Sequence, residues 1–266
     1  MIKPLTLTIV IPAYNEENHL SACLNSIKTQ TVMPDEVIVV DNNSTDKTAK
    51  IASSYPFVRI INASQQGIVF ARDRGFNSCT STLIGRIDAD CVLPNDWVAY
   101  ARDFYSQPRH ADVALTGGCY IYNVRLPRFA GWVQGQIAFR FNRLIMGHYI
   151  LFGSNMVLPK QVWQKVKPTV CHDNDIHEDL DLAIHVDRLG LAITYHEGLK
   201  VGIKMRRIFT NRRALWGNLL LWPNTLKRHQ KPTWVFGWIG AAMLYCSFPI
   251  VLSAEYLARL FGREPK

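Results

Sequence analysis

Short apolar runs recur along the first half of the chain, each followed by a polar turn and then by a segment with helical spacing. The runs predict strands at Leu5–Ile11, Glu36–Val40, Val58–Ile61, Leu83–Ile87 and Val113–Gly117. Helical patterns fall between them, at Glu17–Gln30, Asp46–Ser54, Ile68–Ser78 and Asp96–Tyr105. The first four strands read as continuous apolar runs, the signature of a parallel sheet covered by helices on both faces. Ser44-Thr45 supply N-cap residues ahead of the helix at Asp46. This alternation predicts a doubly wound α/β sheet, in which ligands sit beyond the carboxyl ends of the strands. After about residue 120 the pattern loosens. A helical stretch (Arg128–Leu144), a turn (Gly153-Ser154-Asn155), an acidic helix start (His177–Asp181) and a strand-like Ala192–Tyr195 follow.

Composition narrows the class. A chain of 266 residues, 48% hydrophobic and 19% charged, can bury one substantial α/β core. The N-terminal run is short, β-branched and closed by two glutamates, which predicts a first strand and not a signal segment. Six cysteines (Cys23, Cys79, Cys91, Cys119, Cys171, Cys246) show no C-x-x-C pair and no ligand-like spacing with histidine. They predict reduced core thiols and no zinc site.

The net charge of +9 is concentrated. Lys200, Lys204, Arg206, Arg207, Arg212, Arg213, Lys227, Arg228 and Lys231 lie in a stretch without a single acidic residue. Such a stripe suits phosphorylated ligands, nucleic acid or anionic headgroups. Its continuation favours lipid: Trp234–Ala254 carries no charge, and Ala214–Trp222 is a second apolar patch with tryptophan near each end. At about 1.5 Å per residue the longer run approaches the ~30 Å of a hydrocarbon core. The expectation is membrane association at a cytoplasmic face, peripheral or through a single C-terminal span, with a buried C-terminal helix as the alternative. Nucleic acid is not expected as a partner.

Candidate chemistry gathers at the strand ends. Strand one runs into Pro12-Ala13-Tyr14-Asn15-Glu16-Glu17, and strand two ends in Asp41-Asn42-Asn43-Ser44-Thr45-Asp46. Gly67-Ile68-Val69-Phe70-Ala71-Arg72-Asp73-Arg74-Gly75 follows strand three, and strand four ends in Asp88-Ala89-Asp90. Carboxylates one residue apart leave a strand pointing the same way, a compact oxygen donor set for a hard divalent cation. Each turn alone could be an ordinary cap. Four on one sheet edge converge on a single crevice.

The ordered set PAYNEE, VVDNNSTD, GIVFARDRG and DAD, over residues 5–120, resembles the nucleotide-sugar-binding half of family 2 glycosyltransferases with the GT-A fold. The resemblance implies a mostly parallel α/β sheet flanked by helices, with a C-terminal hydrophobic helical segment. It implies a GT-A domain over 1–210, its acceptor half at about 121–210, and a basic, apolar tail over 211–266. By motif position, Pro12, Tyr14 and Glu16 would line the nucleoside pocket. Asp41 would hydrogen-bond the base, Arg72 would sit beside it, and Asp88 would face the ribose. Asp90, with Asp88, would hold Mg2+ or Mn2+ on the diphosphate. His177-Glu178-Asp179-Leu180-Asp181-Leu182 resembles the family's acidic pair, making Asp179 the general base and Glu178 the neighbour that orients the acceptor. A bare helix-dipole role for the pair is the alternative, with Asp181, Asp173 and Asp175 as fallback bases. Gly153, Ser154 and Asn155 resemble the acceptor-side turn, with a plain β-turn as the alternative. His196 falls where some GT-A enzymes place a third metal ligand, with a satisfied surface histidine as the alternative, and Arg206 and Arg207 match the basic residues that close over the diphosphate.

The function so implied is inverting, metal-dependent transfer of a single sugar from a UDP- or GDP-sugar to a hydroxyl or phosphate acceptor. Membrane affinity points to a lipid-linked or cell-surface glycan precursor as that acceptor. The Q-x-x-R-W signature of processive synthases is absent, which argues against chain extension. Two other classes compete. A sugar-phosphate nucleotidyltransferase would need a glycine-rich loop after strand one, and PAYNEE contains no glycine. A catalytically silent membrane-bound module would have no chemical need for Asp88, Asp90 and Asp179 together.

Overall fold

The computed structural model describes residues 5–122, 132, 135–204 and 212–260, excepting the side chains of 136–138, 212–214, 248, 250–252 and 254–260. Seven strands form one sheet: β1 Leu7–Ala13, β2 Glu36–Asp41, β3 Val58–Asn62, β4 Leu83–Arg86, β5 Ala114–Ile121, β6 Met156–Pro159 and β7 Ile193–Ile203. Their order is β3-β2-β1-β4-β6-β5-β7. The pairs β1–β2, β1–β4, β2–β3 and β5–β7 are parallel, whereas β6 runs antiparallel to both β4 and β5. The sheet is therefore mostly parallel, with β6 the element that the sequence pattern did not reveal. Four residues long and buried on both faces, β6 lacks the alternation that marks a strand.

Helices α1 Leu20–Lys28, α2 Thr48–Ser53, α3 Ile68–Ser78 and α4 Trp97–Ser106 connect the early strands. A π-helical turn, Gln136–Phe141, leads into α5 Asn142–Met146, followed by α6 Lys160–Val166, α7 Glu178–Arg188, α8 Arg212–Arg228 and α9 Trp234–Leu260. Of the helix expected over Arg128–Leu144, residues 128–131 and 133–134 lie outside the described residues.

Burial explains the layering. Along β1, Leu7, Ile9 and Ile11 pack under α1 and α4, with Leu24, Ile27, Trp97 and Val98. Val10 faces the other way, toward Phe76 of α3, Trp163 of α6 and Leu182 of α7. Both faces are dry, so the period-two alternation is between two apolar layers and not between core and water. The edge strands present polar residues: on β3, exposed Arg59 reaches Glu36 at 2.7 Å, and on β7 His196, Glu197 and Lys200 are exposed. Helix α3 lies unusually close to β1, because Gly75 has no side chain: a Cβ there would stand 2.3 Å from Val10 Cγ1. That approach carries Arg72, one turn earlier, into the interior.

The chain reverses its direction of growth between β3 and β4, crossing from one side of β1 to the other. The crevice beyond β1 and β4 is thus a topological switch point, where α/β sheets bind ligands. At the C-terminal end, Trp222, Thr225 and Leu226 of α8 and His229 beyond it are buried, with Trp222 and Leu226 packed on Leu180 and Ile184 of α7. Helix α9 turns back along α8, with Tyr245 against Trp216. Among the described residues no helix is long and apolar enough to cross a membrane. Much of the apolar run beyond Phe248 lies outside the described side chains.

Candidate active site

Three strand-end loops are tied to one another by side-chain-to-backbone hydrogen bonds. Asn15, held at φ +53°, accepts from the Thr45 N–H at 2.8 Å, and Thr48 Oγ1 accepts from the Glu16 N–H at 2.7 Å. Buried Asn42 donates to the carbonyls of Ala63 and Gln65 and accepts from the Gly67 N–H at 2.8 Å. The turns after β1, β2 and β3 therefore form one continuous surface. Pro12 is buried in β1, Tyr14 is half exposed, and Glu16 opens α1 through its carbonyl. Asp41, at the end of β2, accepts the Ser44 N–H at 3.3 Å.

The centre of the site is a residue that the sequence reading passed over. Arg86, the last residue of β4, is 2% exposed, although its strand reads as apolar. Its Nη1 lies 2.7 Å from Glu178 and 2.5 Å from Asp179, and its Nη2 lies 3.3 Å from Asp88. A lone arginine inside an apolar strand, two residues before an Asp-x-Asp, was the available signal, since a buried charge must be paired. Arg86 joins the carboxylate turn after β4 to the first turn of α7, which lies 93 residues away in sequence.

Arg72 completes the cluster from below. It is fully buried, with Nη1 2.8 Å from Glu178 Oε2 and Nε donating to Asp73 at 2.9 Å. The resemblance implies a place beside the nucleobase for Arg72; its guanidinium is enclosed beneath the acidic pair, because the close packing of α3 on β1 draws it inward.

Environment separates the two carboxylates of that pair. Burial pushes Glu178 up, but Arg86 and Arg72 outweigh it and bring its pKa down to about 2. Asp179 is raised well above the usual carboxylate range, by burial first and by the neighbouring Glu178 charge second, against the pull of Arg86. Neighbouring groups whose proton affinities are driven apart divide into a fixed charge and a proton acceptor. The helix dipole stabilises this first turn as well, yet two buried ion pairs show that it is not the pair's only role.

The Gly153–Asn155 turn sits directly against the carboxylates. The Gly153 N–H donates to Asp179 Oδ2 at 2.7 Å, and Ser154 Oγ donates to Asp88. A Cβ on Gly153 would fall 2.4 Å from Asp179 Oδ2, so only glycine allows this approach. Asn155 is buried behind the turn, accepting from Trp97 Nε1 and donating to the carbonyls of Gly118 and Leu199. Asp90 stands half-buried beside Asp88 on the loop after β4, its carbonyl accepting from Tyr122 Oη at 3.3 Å. Asp88 and Asp90 are oxygen donors two residues apart on the loop after β4, a donor type that would suit Mg2+ or Mn2+.

Other expected residues stand apart. His196 lies on β7 against Tyr100 and Phe104 of α4, its ring nitrogens hydrogen-bonded to the Tyr100 hydroxyl. Among the described residues, no carboxylate pairs with it. Asp173 pairs with Arg228 at the surface, and Asp181 faces His185 and His229. Arg206 and Arg207 lie outside the described residues.

Comparison with known proteins gives this geometry a family. The glycosyltransferase GlyA of Streptococcus pneumoniae is 33% identical over 125 residues, covering 44% of this chain and 17% of that protein. The chondroitin synthase of Escherichia coli is 34% identical over 101 residues, covering 36% and 15%. The chain thus spans about a sixth of the length of these curated relatives. Among solved structures, the mannosyltransferase PcManGT of Pyrobaculum calidifontis superposes with a TM-score of 0.64 at 18% identity, covering 97% of this chain and 76% of that one. The glucosyl-3-phosphoglycerate synthase of Mycobacterium tuberculosis gives 0.65 at 19%, covering 85% and 81%. These likenesses establish the fold. Residues 8–163, more than half the chain and the stretch that holds Arg86, Asp88 and Asp90, match the profile described as "Glycosyl transferase family 2", and the chain belongs to that family.

Proposed function

We propose that this domain transfers a single sugar, with inversion, from a nucleoside-diphosphate sugar to a hydroxyl or phosphate of a lipid-linked or cell-surface glycan precursor. The observation that carries the reading is Arg86, which holds Asp88 and Asp179 on one guanidinium at the switch-point crevice. For a hydroxyl acceptor, Asp179 takes the proton as the oxygen attacks the anomeric carbon. The bond to the diphosphate breaks on the opposite face, and the nucleoside diphosphate leaves. Glu178, locked as an anion by two arginines, keeps the Asp179 charge unfavourable and so makes it a better proton acceptor. Asp88 and Asp90 would hold a divalent ion, which when bound supplies charge neutralisation to the leaving diphosphate. PcManGT binds GDP-mannose and Mn2+, and the mycobacterial synthase binds UDP-glucose and Mn2+. These precedents support either nucleotide here.

Helix α9 supports a membrane-surface location. Trp234, Val235, Phe236, Trp238, Ile239 and Met243 are exposed along it, between 38% and 51%. Lys227, Arg228 and Lys231 flank its start. An apolar, tryptophan-bearing helix behind a basic segment is suited to lie in an anionic interface.

The test is calorimetric binding of a nucleoside-diphosphate panel with and without Mn2+, followed by a transfer assay. Metal-dependent binding of UDP or GDP that Asp90→Ala removes is the expected result. A folded protein that binds no member of the panel would overturn the proposal.

A further inference from the structure

A second group of metal-type donors lies behind the catalytic pair, with no residue in common with it. Cys171 in the segment before α7, Asp181 and His185 on α7, and His229 beyond α8 bring one ligand atom each to within 4.8 Å of one another. His229 Nε2 is 2.7 Å from Asp181 Oδ1, and His185 Nε2 is 3.3 Å from the same oxygen. Cys171 Sγ is 3.8 Å from His185 Nε2, while its N–H donates to Asp181 Oδ2 at 3.0 Å. Asp181 is wholly buried, and the two histidines are 8% and 5% exposed. Among the described residues, the imidazoles are the ion-pair partners of that buried carboxylate.

We infer that Cys171, Asp181, His185 and His229 form a structural zinc site that staples α8 to the catalytic helix α7. Ligands about 2.0–2.3 Å from a tetrahedral ion stand about 3.3–3.8 Å from one another. The 3.3 Å and 3.8 Å separations already have this spacing, whereas the 2.7 Å hydrogen bond must open, and every ligand pair lies within 4.8 Å. A thiolate, a carboxylate and two neutral imidazoles around a divalent ion leave the buried site uncharged, which a lone buried carboxylate is not. The mixed sulfur and nitrogen donors select zinc-like ions over the Mg2+ or Mn2+ suited to Asp88 and Asp90. Four protein ligands leave no open position, so the role is structural.

The consequence is positional. Asp181 and His185 sit four residues apart on the helix whose first turn carries Glu178 and Asp179. A second tie runs beside them, from the His177 N–H to Thr225 Oγ1 of α8 at 2.7 Å. The ion fixes the start of α7 against the C-terminal helices, and with it the height of the acidic pair.

The test uses the full chain, stripped with a chelator and titrated with Co2+ under absorption spectroscopy. The expected spectrum has the visible bands of tetrahedral cobalt and a near-ultraviolet thiolate-to-cobalt band, both abolished by Zn2+. Cys171→Ser loses the near-ultraviolet band, and His229→Gln binds at least about tenfold more weakly. Asp90→Ala keeps the whole spectrum, separating this site from the strand-edge carboxylates. Zn2+ raises the melting temperature of the wild type and not that of Cys171→Ser. Should the wild type show no tetrahedral cobalt spectrum, or should Cys171→Ser and His229→Gln leave it unchanged, the cluster is a hydrogen-bonded network only and the inference falls. The wild-type spectrum decides even if a variant fails to fold, and no readout depends on sugar transfer.

Discussion

Replacing Arg86 with methionine removes the cation that touches Glu178, Asp179 and Asp88 while keeping an unbranched chain in its place. Glu178, Asp179 and Asp88 then face one another with Arg72 alone beneath Glu178. Breaking a buried ion pair from one side costs about 3–5 kcal/mol, a large part of a typical domain stability of about 5–15 kcal/mol. The cost is electrostatic, so it must depend on pH. In the variant Glu178 loses the larger of the two arginine pulls that hold its pKa down, and the Asp179 pKa, already raised, climbs further. Groups raised in this way favour folding below the unfolded pKa and disfavour it as pH climbs through the folded pKa. The gap between wild type and variant should therefore be largest near neutral pH and should narrow in mild acid. Urea unfolding of both proteins at neutral pH and near pH 5 reads this directly. A loss under about 1 kcal/mol at neutral pH, or an equal loss at both pH values, would refute the buried-cluster argument.

Asp179→Asn should retain nucleotide binding and lose turnover by about 10²–10⁴-fold; matched binding and single-turnover assays separate the two effects. Wild-type turnover should rise with pH through the raised Asp179 pKa, above the ordinary carboxylate range, because the ionised form is the base. A flat profile would remove Asp179 from that role. Gly153→Ala should cost about 1–3 kcal/mol and disturb the acidic pair, since the new methyl would fall 2.4 Å from Asp179 Oδ2 and 2.6 Å from Arg86 Nη1; a melting curve unchanged from wild type would count against that packing. Trp238→Glu, on the exposed side of α9, should reduce co-sedimentation with anionic vesicles and leave the melting temperature unchanged. Equal sedimentation would place the membrane contact elsewhere.

The alternating layers of the first half were legible in the chain. Helix α3 falls at Ile68–Ser78, as its periodicity predicts, and β2 differs from its predicted span by one residue at Asp41. Local turn chemistry also marked the carboxyl-end loops, because caps, glycines and Asp-x-Asp are short-range signals. Spacing along the chain did not group Cys171 with Asp181, His185 and His229. Its neighbours come from positions 10, 14 and 58 residues further on (181 − 171, 185 − 171 and 229 − 171), a pattern no motif encodes. Three of the six cysteines (Cys23, Cys79 and Cys91) are buried core thiols, whereas Cys246 is exposed.

By itself, the sequence determined the elements and the kind of chemistry each turn carries, since both follow from hydrophobic period and residue type within a few positions. Only the tertiary structure decided which of those groups meet. Gly75 lets α3 press on β1 and sends Arg72 inward. The antiparallel β6 brings the Gly153 turn onto Asp179. Arg86, a charge stranded in an apolar strand, finds its partners in a helix 93 residues away. Such pairings are set by the packing of whole layers, and the cost of an unpaired buried charge then selects the partners.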